Sequence, residues 1–215
     1  MAYDALLFDL DGVLLTGYHT DRAIYRAAAA DAVVDAGRAG DPPAGLIDPD
    51  ASEDVRAACE RIDLDPDATW GYREHAATVR ENDRIESGAR EPFEDTAVLG
   101  QLDRSLAIVS NNRHGTARFA RDHCQFDIDV VRGRYPTLDD FDRMKPDPHF
   151  LVDALDALDA DPDTALFVGD RRSDIVAGQR AGTDTALLVR DGDPPDGGPD
   201  PTHVIDSLEA LSDLG

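Results

Sequence analysis

The sequence predicts an α/β fold in which a mostly parallel sheet is interrupted, after its first strand, by an all-α insertion. Three observations carry this. A short apolar run, Ala5-Leu6-Leu7-Phe8, ends abruptly at the acidic turn Asp9-Leu10-Asp11-Gly12. Residues 17–90 show helical patterns only. After Pro92, strand-like and helix-like segments alternate. Such alternation builds parallel strands joined by crossover helices.

Residues 3–10 read as a buried strand, because the apolar run is short and bounded by a turn. An alanine-rich stretch at 20–36 reads as a helix that Thr20 or Asp21 can cap. Residues 37–50 form a Gly/Pro/Asp loop. Helical patterns resume at 51–61 and 67–85, the latter opened by Pro66-Asp67. A short helix at 93–102 precedes a strand at 105–109, a helix at 116–124 and a strand at 128–131. An irregular stretch then runs to Met144. The remainder reads as helix 147–158, strand 165–168, helix 173–181, strand 185–189, a weak strand at 203–205 and a closing helix. The segment 191–201 is a Gly/Pro/Asp surface loop.

Composition narrows the function classes. Of 45 carboxylates 37 are Asp, against 20 Arg and a single Lys, for a net charge of −24. A surface of that sign repels nucleic acid and anionic membranes. Short carboxylates with almost no lysine resemble the proteins of extreme halophiles. Well-formed apolar segments exclude an acidic disordered chain. The apolar start is too short for a signal peptide or a membrane helix, so a cytoplasmic location is expected. Cys59 and Cys124 lack metal-site spacing and are expected as buried free thiols.

Four clusters stand at the expected carboxyl ends of strands, where open α/β sheets bind ligands. Asp9 and Asp11 flank a turn that Gly12 permits. One carboxylate can serve as a covalent nucleophile and the other can donate and recover a proton, although an acidic turn is the plain alternative in so aspartate-rich a chain. Ser110 and Asn111 follow an apolar strand and could hold a phosphate oxygen or simply cap a helix. Lys145, in Lys145-Pro146-Asp147-Pro148, is the one lysine kept where arginine is used everywhere else. A compact ammonium suits a point charge between carboxylates and phosphate better than a guanidinium fork does. Asp170 and Asp174, in the run from Val168 to Ile175, offer hard oxygen ligands suited to Mg²⁺, or an N-capping turn.

In order, spacing and strand-end placement these clusters resemble the four motifs of the haloacid dehalogenase superfamily, phosphatase branch, broadly similar to phosphoglycolate phosphatases. The likeness covers Ala5 to Leu14 and Pro92 to Val189. It implies a Rossmann-like core at 1–16 and 91–215 with a helical cap at 17–90. It further implies that Asp9 attacks phosphorus and Asp11 acts as acid, then base. Ser110, the Asn111 amide and Lys145 would hold the phosphoryl group. Mg²⁺ would be bound by Asp9, the Asp11 carbonyl and Asp170, with Asp174 as ligand or support. The implied substrate is a small phosphorylated metabolite, and the protein a monomer or homodimer. One departure is Leu14-Leu15-Thr16-Gly17, where many relatives carry an acidic residue.

Related alternatives separate on the same residues. A 2-haloacid dehalogenase needs neither Asp11 nor Mg²⁺. A response-regulator receiver is smaller and lacks the insertion. A phosphomutase shares every core motif and would differ in the cap. Within the insertion, His19, Arg22, Arg73 and His75 are candidates to meet substrate, and the 37–50 loop is a candidate specificity loop.

Overall fold

The computed structural model describes residues 3–17, 20–192 and 197–214. Its strands are β1 (Ala5–Phe8), β2 (Ser105–Arg113), β3 (Val130–Arg134), β4 (Ala165–Gly169), β5 (Asp184–Leu188) and β6 (His203–Ile205). They form one sheet in the order β3-β2-β1-β4-β5-β6, and all neighbours run parallel. The chain winds outward from β1 to β3, then recrosses β1 to lay down β4 to β6. The winding reverses between β1 and β4, and there the carboxyl ends of the strands open a crevice.

Both faces of this sheet are covered, which is why the central strands β1 and β4 are apolar throughout rather than alternating. In β1, Leu6 and Phe8 enter a core with Ile108, Val168 and Leu208. Ala5 and Leu7 point the other way, into a core with Phe150, Leu155 and Phe167. The period of two thus divides one short strand between two cores.

Between β1 and β2 lie α1 (Arg22–Asp35), α2 (Ala44–Ile47), α3 (Ser52–Arg61) and α4 (Pro66–Glu86). Asp21 caps α1 by accepting from the Ala23 amide, and Asp65 caps α4 from Ala68 with Pro66 at its first turn. These helices bury Ala29, Val33, Leu46, Val55, Cys59 and Trp70 together with Leu138 and Phe141 from beyond β3. The Trp70 and Phe141 rings meet edge-on at 4.9 Å. Later come α5 (His114–His123), α6 (Leu138–Asp142), α7 (His149–Leu158) and α8 (Arg172–Ala181).

Several expectations need correction. The 37–50 loop holds the short helix α2, and the irregular stretch before Met144 holds α6. Residues 94–101 and 208–212 coil as 3₁₀ rather than α-helix. β2 runs past residue 109 to Arg113, with its pairing to β3 shifting register between Val109 and Arg113. Polar Ser110 to Arg113 look like a loop by composition, yet tertiary position keeps them extended. Both cysteines are free, but only Cys59 is fully buried. Among the described residues, no helix is long and apolar enough to cross a membrane.

The excess of carboxylates predicts a salt dependence. At about 0.1 M salt the Debye length is roughly 10 Å, so surface carboxylates repel one another, and near 1 M it is roughly 3 Å. Melting followed by circular dichroism from about 0.1 to 3 M KCl is expected to show a rising Tm. A flat or falling Tm would remove the halophilic reading of the composition.

Candidate active site

Asp9 leaves β1 with its amide still donating to Val168 O at 2.9 Å, so the sheet itself fixes where its carboxylate begins. The chain then turns at Gly12, whose φ of +85° lies in the left-handed region that favours glycine. Leu14 and Leu15 both return their amides to Leu10 O, closing the turn on itself. Arg190, after β5, braces it from outside by donating to Val13 O at 2.8 Å while paired with Asp95 at 2.7 Å.

Lys145 is buried among acceptors. Its Nζ lies 2.9 Å from Asp9 Oδ1, 2.8 Å from Asp174 Oδ1 and 3.1 Å from Val109 O. An ammonium has three donors, and here each has one acceptor. Burial alone would lower the Lys145 pKa, but Asp174 and Asp9 outweigh it and raise it, so the charge is retained. The main chain of Lys145 is gripped as well: its amide donates to Asn111 Oδ1 at 2.7 Å, and Asn111 Nδ2 donates back to Lys145 O at 3.1 Å. The Asn111 side chain is therefore spent on placing the lysine, and only its main chain is left to meet a phosphate. Ser110 Oγ accepts from the Asn112 amide at 3.1 Å, a bond that leaves its own proton to donate.

Asp11 stands apart from this group. Asn112 Nδ2 donates to its Oδ2 at 2.9 Å, and Arg90 Nη2 donates to its Oδ1 at 2.6 Å. Burial raises the Asp11 pKa; the Arg90 guanidinium opposes this, and the Asp9 charge adds to it. A carboxyl group held at a fixed angle with a raised pKa is suited to carrying a proton.

Asp9, Asp170 and Asp174 each bring a carboxylate oxygen within 4.8 Å of the other two. Asp170 Oδ1 is buried without a hydrogen-bond partner. Its pKa is pushed up to about 7 by burial and by the charges of Asp9 and Asp174. Three crowded carboxylates, with Asp170 Oδ1 held only by a 3.8 Å ion pair to Arg171, fit a small, hard divalent cation such as Mg²⁺. Asp174 is already engaged on both oxygens, by Lys145 and by the Arg171 amide at 3.1 Å. Asp170 is thus the freer of the two to hold a cation, and Asp174 could support it. The close packing requires Gly169, where a Cβ would fall 2.3 Å from that of Asp174.

The insertion contributes differently from expectation. Arg73 is buried and structural: it donates to Leu46 O and Ile47 O and pairs with Glu74, tying α2 to α4 rather than facing a substrate. This also pins the 37–50 loop at its end. Arg22 is exposed and pairs with Asp48 at 3.4 Å. His75 is exposed, and His19 lies outside the described residues.

Two residues against Asp11 escape the sequence argument. Asn112 lies two positions after Ser110 in an extended strand, so both side chains share a side. Reading β2 past residue 109 would have found it. Arg90 is one of 20 arginines with no motif around it, and only the fold brings it to Asp11.

This arrangement belongs to a defined class. The haloacid dehalogenase-like hydrolase family model matches residues 3–182, and the chain is a member of that family. A pyrophosphatase PpaX of Bacillus cereus is 38% identical over 98 residues, which are 45% of this chain and 44% of that protein. The match therefore spans less than half the length of such relatives. Among solved structures, a candidate phosphoglycolate phosphatase from Lactobacillus plantarum superposes with a TM-score of 0.62 at 22% identity, covering 100% of both chains. A 2-haloacid dehalogenase from Pseudomonas syringae pv. Tomato superposes with a TM-score of 0.63 at 22% identity, covering 100% of this chain and 98% of that one. At such identity the likeness is one of fold, and fold alone does not separate a phosphatase from a dehalogenase.

Proposed function

We propose that the chain is a phosphohydrolase that removes phosphate from a small phosphorylated metabolite through a phosphorylated Asp9. The observation that carries this is Asp11, a second, partly buried carboxyl group with a raised pKa, fixed by Arg90 and Asn112 beside the nucleophile. A dehalogenase has no use for such a group, and a receiver that stores phosphate has no use for an acid. Asp9 Oδ would attack phosphorus, and Asp11 would protonate the leaving alcohol. The Asp11 carboxylate would then take a proton from the water that hydrolyses the acyl phosphate. Lys145 and the Ser110 hydroxyl would neutralise and orient the phosphoryl oxygens. Bound Mg²⁺, held by Asp9, Asp170 and the Asp11 carbonyl, would supply charge neutralisation at the phosphoryl oxygens. In this reading residues 17–90 form the cap domain and the rest the core, in a cytoplasmic enzyme with a salt-adapted surface.

An aryl phosphate assay with Mg²⁺ tests the reaction class directly, and no release of phosphate by folded protein would reject it. A phosphomutase is the alternative that shares these motifs, and it would transfer rather than release the phosphoryl group. Metal dependence is a separate expectation. Chelation should abolish turnover, and Asp170→Ala should raise the Mg²⁺ concentration needed for half activity by about tenfold or more. Full activity of the wild type in excess chelator would refute the metal assignment.

A further inference from the structure

The two oxygens of Asp11 are not equivalent. Oδ1 accepts from Arg90 Nη2 at 2.6 Å and from Asn112 Nδ2 at 3.2 Å. Among the described residues Oδ2 accepts from Asn112 Nδ2 alone, at 2.9 Å. A carboxylate oxygen has two lone pairs, so Oδ1 is filled and Oδ2 keeps one place. The Asn112 amide cannot turn to change this, because its Oδ1 accepts from the Arg113 amide at 2.8 Å and thereby aims Nδ2 at Asp11. A guanidinium and a carboxamide nitrogen are donors only. A proton on Asp11 therefore has one location, Oδ2. The Asp11 side chain keeps 15% of its surface exposed while Arg90 keeps 2%, so the carboxyl group is reached from the side away from the guanidinium.

Arg90 is held in turn. Its Nε donates to Thr16 O at 2.9 Å and its Nη1 to Glu81 Oε1 at 2.9 Å. Glu81 is fully buried on α4, and Arg84 approaches it no closer than 3.4 Å, so Arg90 is its main partner. A buried ion pair adds little net stability over a well-packed apolar pair, and its value here is directional.

We propose that Arg90, held by Glu81 of the insertion, is the positioning residue of the proposed acid: by occupying Oδ1 it turns Oδ2 to the leaving group, which fits the site to phosphate esters of unactivated alcohols. This deepens the phosphohydrolase reading and rests on it. As an Asp9 oxygen bonds to phosphorus and the ester P–O bond breaks, the proton on Oδ2 passes to the departing oxygen. The leaving group departs as the neutral alcohol, and Asp11 remains as a carboxylate. A nitrophenolate departs without needing that proton, so its ester does not draw on this arrangement.

The test compares butyl phosphate with para-nitrophenyl phosphate, assayed with Mg²⁺ in high salt. For both esters kcat/KM covers the steps up to departure of the leaving group, and so reads the acid apart from the later hydrolysis. The variant Arg90→Met/Glu81→Gln removes both members of the pair and strands no buried charge, and circular dichroism establishes that it is folded. It should lose about 30-fold or more on butyl phosphate and no more than about threefold on the aryl ester. Arg90→Lys, which keeps one charged donor near Oδ1, should lose less on butyl phosphate. In an Asp11→Asn background the same double substitution should change the butyl phosphate rate by less than about threefold, because the group it positions is already gone. Equal losses on the two esters, no loss on butyl phosphate, or losses that add to that of Asp11→Asn would overturn the positioning role. Release of phosphate from neither ester by the folded wild type would reject the phosphohydrolase reading instead. Crystal structures then decide the positioning without turnover: an Asp11 carboxyl group turned away in Arg90→Met/Glu81→Gln upholds it, and one left in place overturns it.

Discussion

Asp9→Asn is expected to reduce turnover of an aryl phosphate to background, a loss of roughly 10⁴-fold or more. An amide is a very poor nucleophile at phosphorus, and the substitution also removes one of the three crowded carboxylates. It further takes from Lys145 one of its two anionic partners. The protein should stay folded, because β1 is held by its buried side chains and by pairing to β2 and β4 rather than by this carboxylate. Asp11→Asn should lose about 10²- to 10⁴-fold, since the acid is lost but the nucleophile remains. Rapid quench with substrate separates the two: Asp11→Asn can still form phosphorylated protein, and Asp9→Asn cannot. Substantial turnover by folded Asp9→Asn would sink the covalent mechanism.

Lys145→Arg is expected to cost about 10²- to 10³-fold in kcat although the charge is kept. The ammonium sits at the centre of Asp9 Oδ1, Asp174 Oδ1 and Val109 O, all within 3.1 Å. A planar guanidinium has no way to present donors in those three directions from one atom, and its bulk would press on Phe167, whose ring is 5.1 Å from Nζ. The loss should appear in kcat more than in KM, because in the proposed mechanism the lysine would align nucleophile and phosphoryl group during transfer. Wild-type kinetics in Lys145→Arg would mean that the lone lysine has no chemical role.

The parts of this fold that could be read from residues alone are those where local chemistry and tertiary position agree. β1 is apolar and ends in a turn, and the caps of α1 and α4 are written in Asp21, Asp65 and Pro66. All four motif clusters were legible for the same reason: carboxylates, a serine and a lone lysine at strand ends are conspicuous. What escaped depends on contacts distant in sequence. Arg90 meets Asp11 across 79 positions, and Arg113 meets Thr20 across 93. Asn111 is legible as a candidate, but its bond to Lys145 is not, since that bond exists only once β2 is beside the 144–148 segment. The inward direction of Arg73 is not legible, because an arginine on a helix says nothing about which way the helix faces until it packs.

Arg90 also has a mechanical meaning. It stands where the chain returns from the helices to the sheet, and its Nε holds Thr16 O at 2.9 Å, where the chain departs. The same guanidinium grips Glu81 on α4 at 2.9 Å and Asp11 at 2.6 Å. Outgoing and incoming crossings are thus latched together, and Asp11 is fastened to the latch. A swing of α4 away from the sheet must either carry Asp11 with it or break a buried ion pair. In the proposed mechanism, any opening at α4 would also disarm the acid, so a phosphorylated Asp9 would meet bulk water only when its proton acceptor is out of place.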